Sequence, residues 1–144
     1  PFLVNRDEIS HRVAFAVTAV GRAYLAFCPE AEHDEIIAGL RNSSHPADQI
    51  MRTPKKLEPI LEEVRANGYA TRDEFYLGGN YGENTFFDDG LSAISVPIRV
   101  GEQVLGCVNL VWMRQAVPVE DFVANHLADL QAAADEIVAA YSGS

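Results

Sequence analysis

The chain has 144 residues, 48% of them hydrophobic and 22% charged, which is typical of a single globular domain with one core. No apolar run approaches the roughly 20 residues of a membrane-spanning helix and no signal segment opens the sequence, so we expect neither a membrane protein nor a secreted precursor. The 21 acidic and 11 basic side chains give a net charge of -10, and this excess argues against DNA binding by these residues.

The first part of the sequence predicts a strand, two helices and a loop. Residues Arg12 to Val17 alternate polar and apolar side chains, as a half-buried strand does. Thr18 can cap a short helix from Ala19 to Phe27, and Pro29 ends that helix and opens an acidic second one. Asn42 to Arg52 is rich in turn-forming residues and is predicted to be a loop.

The middle of the sequence predicts a third helix, a strand and a long loop. Four apolar residues recur at helical spacing before a stop at Asn67-Gly68, and these are Leu57, Ile60, Leu61 and Val64. Tyr69 to Leu77 is strand-like. Gly78 to Gly90 combines glycines, aromatic rings and acids, a composition that suits a loop lying over a pocket.

The last part of the sequence predicts a hairpin and a helix. Leu91 to Val100 and Gln103 to Met113 are β-rich runs joined near Gly101, which favours an antiparallel hairpin. A long amphipathic helix is predicted after Pro118. The order of elements indicates an α+β fold, in which helices pack on an antiparallel sheet.

Cysteines and histidines give little support for catalysis or metal binding. Cys28 and Cys107 lie far apart and lack metal-ligand spacing, which fits a reducing, cytosolic setting. A cysteine nucleophile needs a nearby base, and no spacing brings one of the four histidines close. We therefore expect no metal, no cofactor and no catalytic residue.

Two features indicate binding of a small molecule. The turn from Thr18 to Gly21 enters a helix, whose free N-H groups and dipole favour an anion such as a carboxylate. The alternative is a self-capped helix end that only water contacts. Asn109 places an amide in the middle of a core-like strand, where it either faces a polar pocket or closes a structural hydrogen-bond network.

Four motifs, in order and spacing, resemble the effector-binding domain of IclR-type bacterial transcriptional regulators. They are VTAVGRAYLAFCPE (17 to 30), LEEVRANGYA (61 to 70), ISVPI (94 to 98) and VLGCVNL (104 to 110). The resemblance covers nearly the whole chain and implies a GAF-like fold and a regulator rather than an enzyme. It also implies that a helix, the first strands and the family's helix-turn-helix domain are missing ahead of Arg12, which would leave an unpaired sheet edge.

The resemblance implies a ligand site and a set of partners. The family's pocket falls on two backbone N-H groups (Ala19, Val20), an acidic loop side chain (near Glu83) and the inner hairpin face (Ala93, Asn109, Val111). Regulators of this family that sense small keto acids carry polar side chains at several of these positions, whereas Ala93 and Val111 are apolar. This difference favours a ligand with an apolar body. The implied partners are this effector, other copies in a homodimer or tetramer, and DNA only through the missing domain.

Within the family, the segments LAFCPE (25 to 30) and GCVNLV (106 to 111), together with the region of His126 and Leu127, most resemble activators of 3-(3-hydroxyphenyl)propionate catabolism. This closer resemblance implies an aromatic carboxylic acid as effector. A hydrolase or isomerase acting on an organic acid, and a purely structural oligomerisation domain, are the alternatives.

The register of the hairpin tests the implied site, because side chains alternate between the two faces of a sheet. A two-residue turn at Gly101-Glu102 would place Ile94 opposite Asn109 and separate the implied site residues. We therefore predict an odd-length loop from Val100 to Glu102, with Ala93 opposite Asn109.

Overall fold

A computed structural model describes residues 14–44, 54–76, 78 and 88–143 of the protein. These residues form four helices and three strands, which confirms the predicted α+β class. In chain order they are α1 (Ala19–Phe27), α2 (Glu30–Arg41), α3 (Pro54–Asn67), β1 (Ala70–Thr71), β2 (Leu91–Val100), β3 (Gln103–Met113) and α4 (Val119–Ser142). No helix in these ranges is long and apolar enough to cross a bilayer.

The sheet separates two apolar cores. Its strands run antiparallel in the order β1-β2-β3. On one face, Ile94 and Val96 pack against Leu130 and Ala134 of α4, and the ring of Trp112 stacks on Phe122 with 3.7 Å between centroids. On the other face, α1 lies between the sheet and α3, and its small residues allow close packing.

The predicted helix ends are confirmed wherever the chain carries a clear capping signal. Thr18 has extended dihedrals and its side-chain oxygen accepts the Gly21 N-H at 3.0 Å, which fixes the start of α1. Pro29 precedes α2 and Pro118 precedes α4, as predicted. Gly68 follows α3 with φ of 79° and donates its N-H to the Val64 carbonyl.

The strand predicted from Arg12 to Val17 is wrong for the part that is described. Residues 15–17 form a turn instead, and residues 12 and 13 lie outside the described ranges. The Ala14 carbonyl accepts the N-H of Val17 at 3.4 Å, and the N-H and hydroxyl of Thr18 at 3.1 and 2.8 Å. These hydrogen bonds form the turn, and the alternation of polar and apolar residues in the sequence does not predict them.

The strand predicted from Tyr69 to Leu77 is much shorter in the structure, because β1 contains only two residues. The chain turns away at Asp73, whose side chain accepts the Phe75 N-H at 2.9 Å and whose carbonyl accepts the Tyr76 N-H at 3.2 Å. Leu77 lies outside the described residues, as do most of the loop before the hairpin and most of the loop before α3.

The hairpin confirms the predicted strand ends but corrects the predicted loop and register. Val100 pairs with Gln103 across a two-residue turn, so an odd-length loop is wrong. Ala93 lies opposite Val111, and Asn109 lies opposite Ser95. A β-bulge near Ile98 adds one residue to β3 and compensates for the even turn. Ala93 and Asn109 therefore still share a face, two residues out of register.

Candidate functional site

The start of α1 presents unused hydrogen-bond donors. Ala19 and Val20 are the first two residues of the helix, so neither N-H has a carbonyl one turn back within the helix. Thr18 caps only the Gly21 N-H, and no acceptor within the described ranges contacts the other two. The first turn contains no acidic residue to neutralise the helix dipole. This end of the helix can therefore accept an anionic group.

The hairpin positions implied by the resemblance lie on the side of the sheet that α1 covers. Cys107 shares the face of Asn109 and Val111, and it packs against the core formed by α1. The structure thus places Ala19, Val20, Ala93, Asn109 and Val111 on one side of the sheet.

Their burial differs from the prediction. Ala93 is 9% exposed, whereas Val111 is 53% exposed and Asn109 is also exposed. The expectation of a buried Asn109 amide is wrong, because no element within the described ranges covers the α1-facing side of β3 at this residue. Glu83 lies outside the described residues.

A cavity of about 150 Å³ lies beside Ala93, where β1 ends and leaves the edge of β2 open. Arg72 marks this end, because its N-H donates to the Ala93 carbonyl at 3.2 Å before the chain turns away. The cavity has largely apolar walls and is lined by Arg72, Asp73, Glu74, Leu91, Ser92, Ala93, Arg114, Val117, Pro118 and Val119. Sequence patterns did not reveal Arg72, because it lies inside a segment predicted to be an ordinary strand.

Three arginine-aspartate pairs each contribute one residue to the lining of the cavity. Arg72 Nη2 lies 2.9 Å from Asp89 Oδ2, and Arg114 Nη2 lies 2.5 Å from Asp88 Oδ2. The hydrogen bond from Arg114 lowers the pKa of the Asp88 carboxyl. The third pair joins Arg22 of α1 to Asp73. The charge of each arginine is therefore balanced by a carboxylate of the protein.

We expect the two cysteines to react slowly with a thiol reagent. Burial raises the pKa of Cys107 to about 11, and burial also raises the pKa of Cys28. Only about one Cys107 thiol in a thousand is then ionised at pH 8, and the thiolate is the nucleophile. Reaction of Cys107 with a disulfide reagent should be on the order of 100-fold slower than that of free cysteine.

Mass spectrometry of each modified cysteine gives the two rates separately, and the urea-unfolded chain is the control that should react at the rate of free cysteine. A native Cys107 that reacts as fast as the unfolded chain would contradict this burial.

Among the described residues, no group of three or more His, Cys, Asp and Glu side chains is placed to hold a metal ion.

Comparison with known proteins agrees with this architecture. Residues 4–139 match the family model described as bacterial transcriptional regulator IclR C-terminal. The chain is 30% identical over 127 residues to the probable transcriptional regulator SauR of Cupriavidus necator. The aligned segment covers 88% of this chain and 46% of that protein. The chain thus spans about half the length of this curated relative.

Solved structures share the fold. One is a complex of the PobR inducer-binding domain from Acinetobacter, a double mutant, with 3-hydroxybenzoic acid (TM-score 0.65, 20% identity, 96% of this chain and 75% of that chain). Another is an IclR homologue of Microbacterium hydrocarbonoxydans complexed with 4-hydroxybenzoate (TM-score 0.62, 20% identity, 94% of this chain and 49% of that chain covered). Because the family model covers nearly all of the sequence, the chain belongs to the IclR family of bacterial transcriptional regulators and corresponds to their C-terminal domain.

Proposed function

We propose that this domain senses an aromatic carboxylic acid, such as 3-(3-hydroxyphenyl)propionate, for a regulator of the IclR family. The observation that carries this proposal is the pair of unused N-H donors of Ala19 and Val20, at the start of the helix that packs on the same face of the sheet as Ala93. Two proteins of the same fold were crystallised with hydroxybenzoates, which supports a ligand of this class.

In the proposed complex the carboxylate binds at the helix start and the ring lies along the hairpin. The net charge of -10 opposes the approach of an acid, but salt screens distant charges within about 8 Å. The donors of Ala19 and Val20 act at contact distance, so they outweigh this repulsion locally. Ala93 and Val111 supply apolar surface for the ring, and Glu83 and Asn109 are candidates for its far-end substituent.

The proposal also includes assembly and DNA binding. A homodimer or tetramer would match the symmetry of a palindromic operator, and DNA contact would come through a helix-turn-helix domain outside this sequence. A regulator should bind its acid stoichiometrically and leave it chemically unchanged. Steady turnover of the acid would instead favour the hydrolase or isomerase alternative.

Ala19→Pro is expected to weaken binding of aromatic acids about tenfold. The change removes one N-H donor, and a hydrogen bond to a charged group is typically worth about 1.5 to 3 kcal/mol. The helix should persist, because Thr18 has ψ of 150°, which suits a residue before proline, and proline is favourable at the first helical position. Isothermal titration of 3-phenylpropionate measures the effect.

Two controls separate loss of the donor from loss of packing. Ala19→Gly keeps the N-H but removes the buried methyl group, so it should retain the affinity for the acid. The alcohol 3-phenylpropanol lacks the carboxylate, and its affinity should change less than about twofold in Ala19→Pro. Unchanged acid binding by a folded Ala19→Pro variant would place the carboxylate elsewhere, and absence of acid binding by the parent would refute the proposed function.

A further inference from the structure

We infer that this domain forms a twofold-symmetric dimer in which the Phe75 ring of each copy inserts into the apolar cavity of the other. The occupant of the cavity is then a second copy of this chain. The inference rests on the assembly stated in the proposed function, because it names the surface through which two copies meet. It does not depend on which acid the domain binds.

Phe75 presents its ring to solvent from a turn that is held in place. The residue is 81% exposed. Its N-H donates to the Asp73 side chain at 2.9 Å, and the Tyr76 N-H donates to the Asp73 carbonyl at 3.2 Å. Asp73 is fixed in turn, because its N-H donates to the Val17 carbonyl and its carboxylate pairs with Arg22. A ring on a turn that is already ordered loses little conformational entropy when it binds.

The cavity beside this turn has the size and the walls that a phenyl ring needs. Its volume is about 150 Å³, and an apolar cavity of about this volume holds one benzene ring. The apolar residues of its lining are Leu91, Ala93, Val117, Pro118 and Val119. Phe75 does not line the cavity, so the ring that fills it comes from another molecule.

The ring and the cavity lie side by side on one surface. Asp73 and Glu74, the two residues before Phe75, belong to the lining of the cavity. A twofold rotation exchanges the two features, so a single interface buries both rings in both cavities. A second copy carries this arrangement by symmetry, whereas another protein would need a matching ring and cavity of its own.

The charges also favour contact between copies at this surface. The net charge of -10 makes two copies repel each other, and α4, for example, contains acidic residues and no lysine or arginine. Beside the cavity, in contrast, each arginine is paired with a carboxylate. Glu74 is exposed and forms no ion pair within the described residues, so it can approach the partner's Arg114, which is 41% exposed.

The size of this interface predicts a weak dimer. An aromatic side chain buries about 150 to 250 Å², so two rings and the walls that they cover bury roughly 600 to 1,000 Å² in total. Stable interfaces bury about 1,200 to 2,000 Å². We therefore expect a Kd on the order of 10 to 100 µM for the dimer.

Sedimentation velocity of the chain at increasing concentration measures this equilibrium. Phe75→Ser should raise the Kd at least about 100-fold, since it removes both central contacts of the dimer. Its thermal unfolding at low concentration should match that of the parent, because Phe75 is exposed. Leu105→Ser is the matched control, since Leu105 is 48% exposed but does not line the cavity, and it should dimerise as the parent does.

A mixing experiment separates loss of the interface from a defect in folding. Val117→Phe fills the cavity with a ring of the same chain, so this variant alone should also fail to dimerise. A mixture of Val117→Phe and Phe75→Ser should form a heterodimer, because the Phe75 ring of the first variant still meets the empty cavity of the second. One of two contacts remains, so its Kd should lie between those of the parent and of the separate variants.

A measurement on the parent needs no variant. In a dimer of one labelled and one unlabelled copy, isotope-filtered NOEs should connect the Phe75 ring of one copy to the Val117 and Val119 methyl groups of the other. This result is expected even if the variants do not fold.

The failures are distinguishable. Parent-like dimerisation of a folded Phe75→Ser, loss of the dimer in Leu105→Ser, no heterodimer in the mixture, or no such NOE in the parent dimer would each overturn this surface and leave the proposed homodimer intact. A parent that stays monomeric at about ten times the expected Kd would refute both the surface and the homodimer of the proposed function.

Discussion

Gly21→Ala is expected to lower the free energy of unfolding by about 3 kcal/mol, because the new methyl group has no room. A Cβ atom at this position would lie 2.4 Å from Phe15 Cα and 2.6 Å from the Phe15 carbonyl oxygen. These are backbone atoms of the turn before α1, and they cannot rotate away as the end of a side chain can. The helix start must move, and with it the donors of the proposed site.

Gly39→Ala in α2 is the matched control for this substitution. No atom lies within 4 Å of a Cβ built at Gly39, so the change should stabilise the domain by about 0.5 to 1 kcal/mol through lower chain entropy. Urea unfolding followed by circular dichroism measures both variants. Equal midpoints for Gly21→Ala and the parent would show that the turn does not pack against α1 as described.

Arg22→Met should be at least as destabilising, at about 3 to 5 kcal/mol, because it leaves a largely buried carboxylate without its partner. Arg22 is 5% exposed, and its Nη2 lies 2.7 Å from Asp73, which is 19% exposed. Its Nε also donates to the Ala16 carbonyl at 2.8 Å. The change thus removes the link between α1, the turn before it and the end of β1.

Arg114→Met removes an ion pair of the same chemistry at an exposed position. Arg114 and Asp88 are 41% and 43% exposed, so water screens both charges and the loss should be much smaller than that of Arg22→Met. Thermal unfolding of the two variants gives the comparison. A similar loss for both arginines would mean that burial of the Arg22 pair contributes little.

Features that a few neighbouring residues determine were predictable from the sequence. Thr18, Pro29 and Pro118 mark helix starts through local capping chemistry, and their positions agree with the structure. The ends of β2 and β3 were predictable because β-forming runs flank a glycine turn. The turn at residues 15–17 was not predictable, since it depends on three hydrogen bonds to the one carbonyl of Ala14.

The candidate site was predictable only where it depends on such local structure. The donors of Ala19 and Val20 follow from the position of a helix start. The exposure of Asn109 depends on which elements cover its face of the sheet, and no pattern within its own strand shows this. Arg72 enters the site through pairing with Ala93 across the sheet, a contact between residues that are 21 positions apart in the numbering.

The two-residue turn and the one-residue bulge of the hairpin together determine which side chains of β3 lie on each face of the sheet. Each alone would shift β3 by one residue and exchange the side chains that meet α4 with those that meet α1, but the two shifts cancel. A relative with a three-residue turn and a regular β3 would present the same faces as this chain. A change of one residue in the turn therefore keeps the faces of β3 only when a second change of one residue accompanies it, so hairpin length alone does not show which residues of β3 share the face that α1 covers.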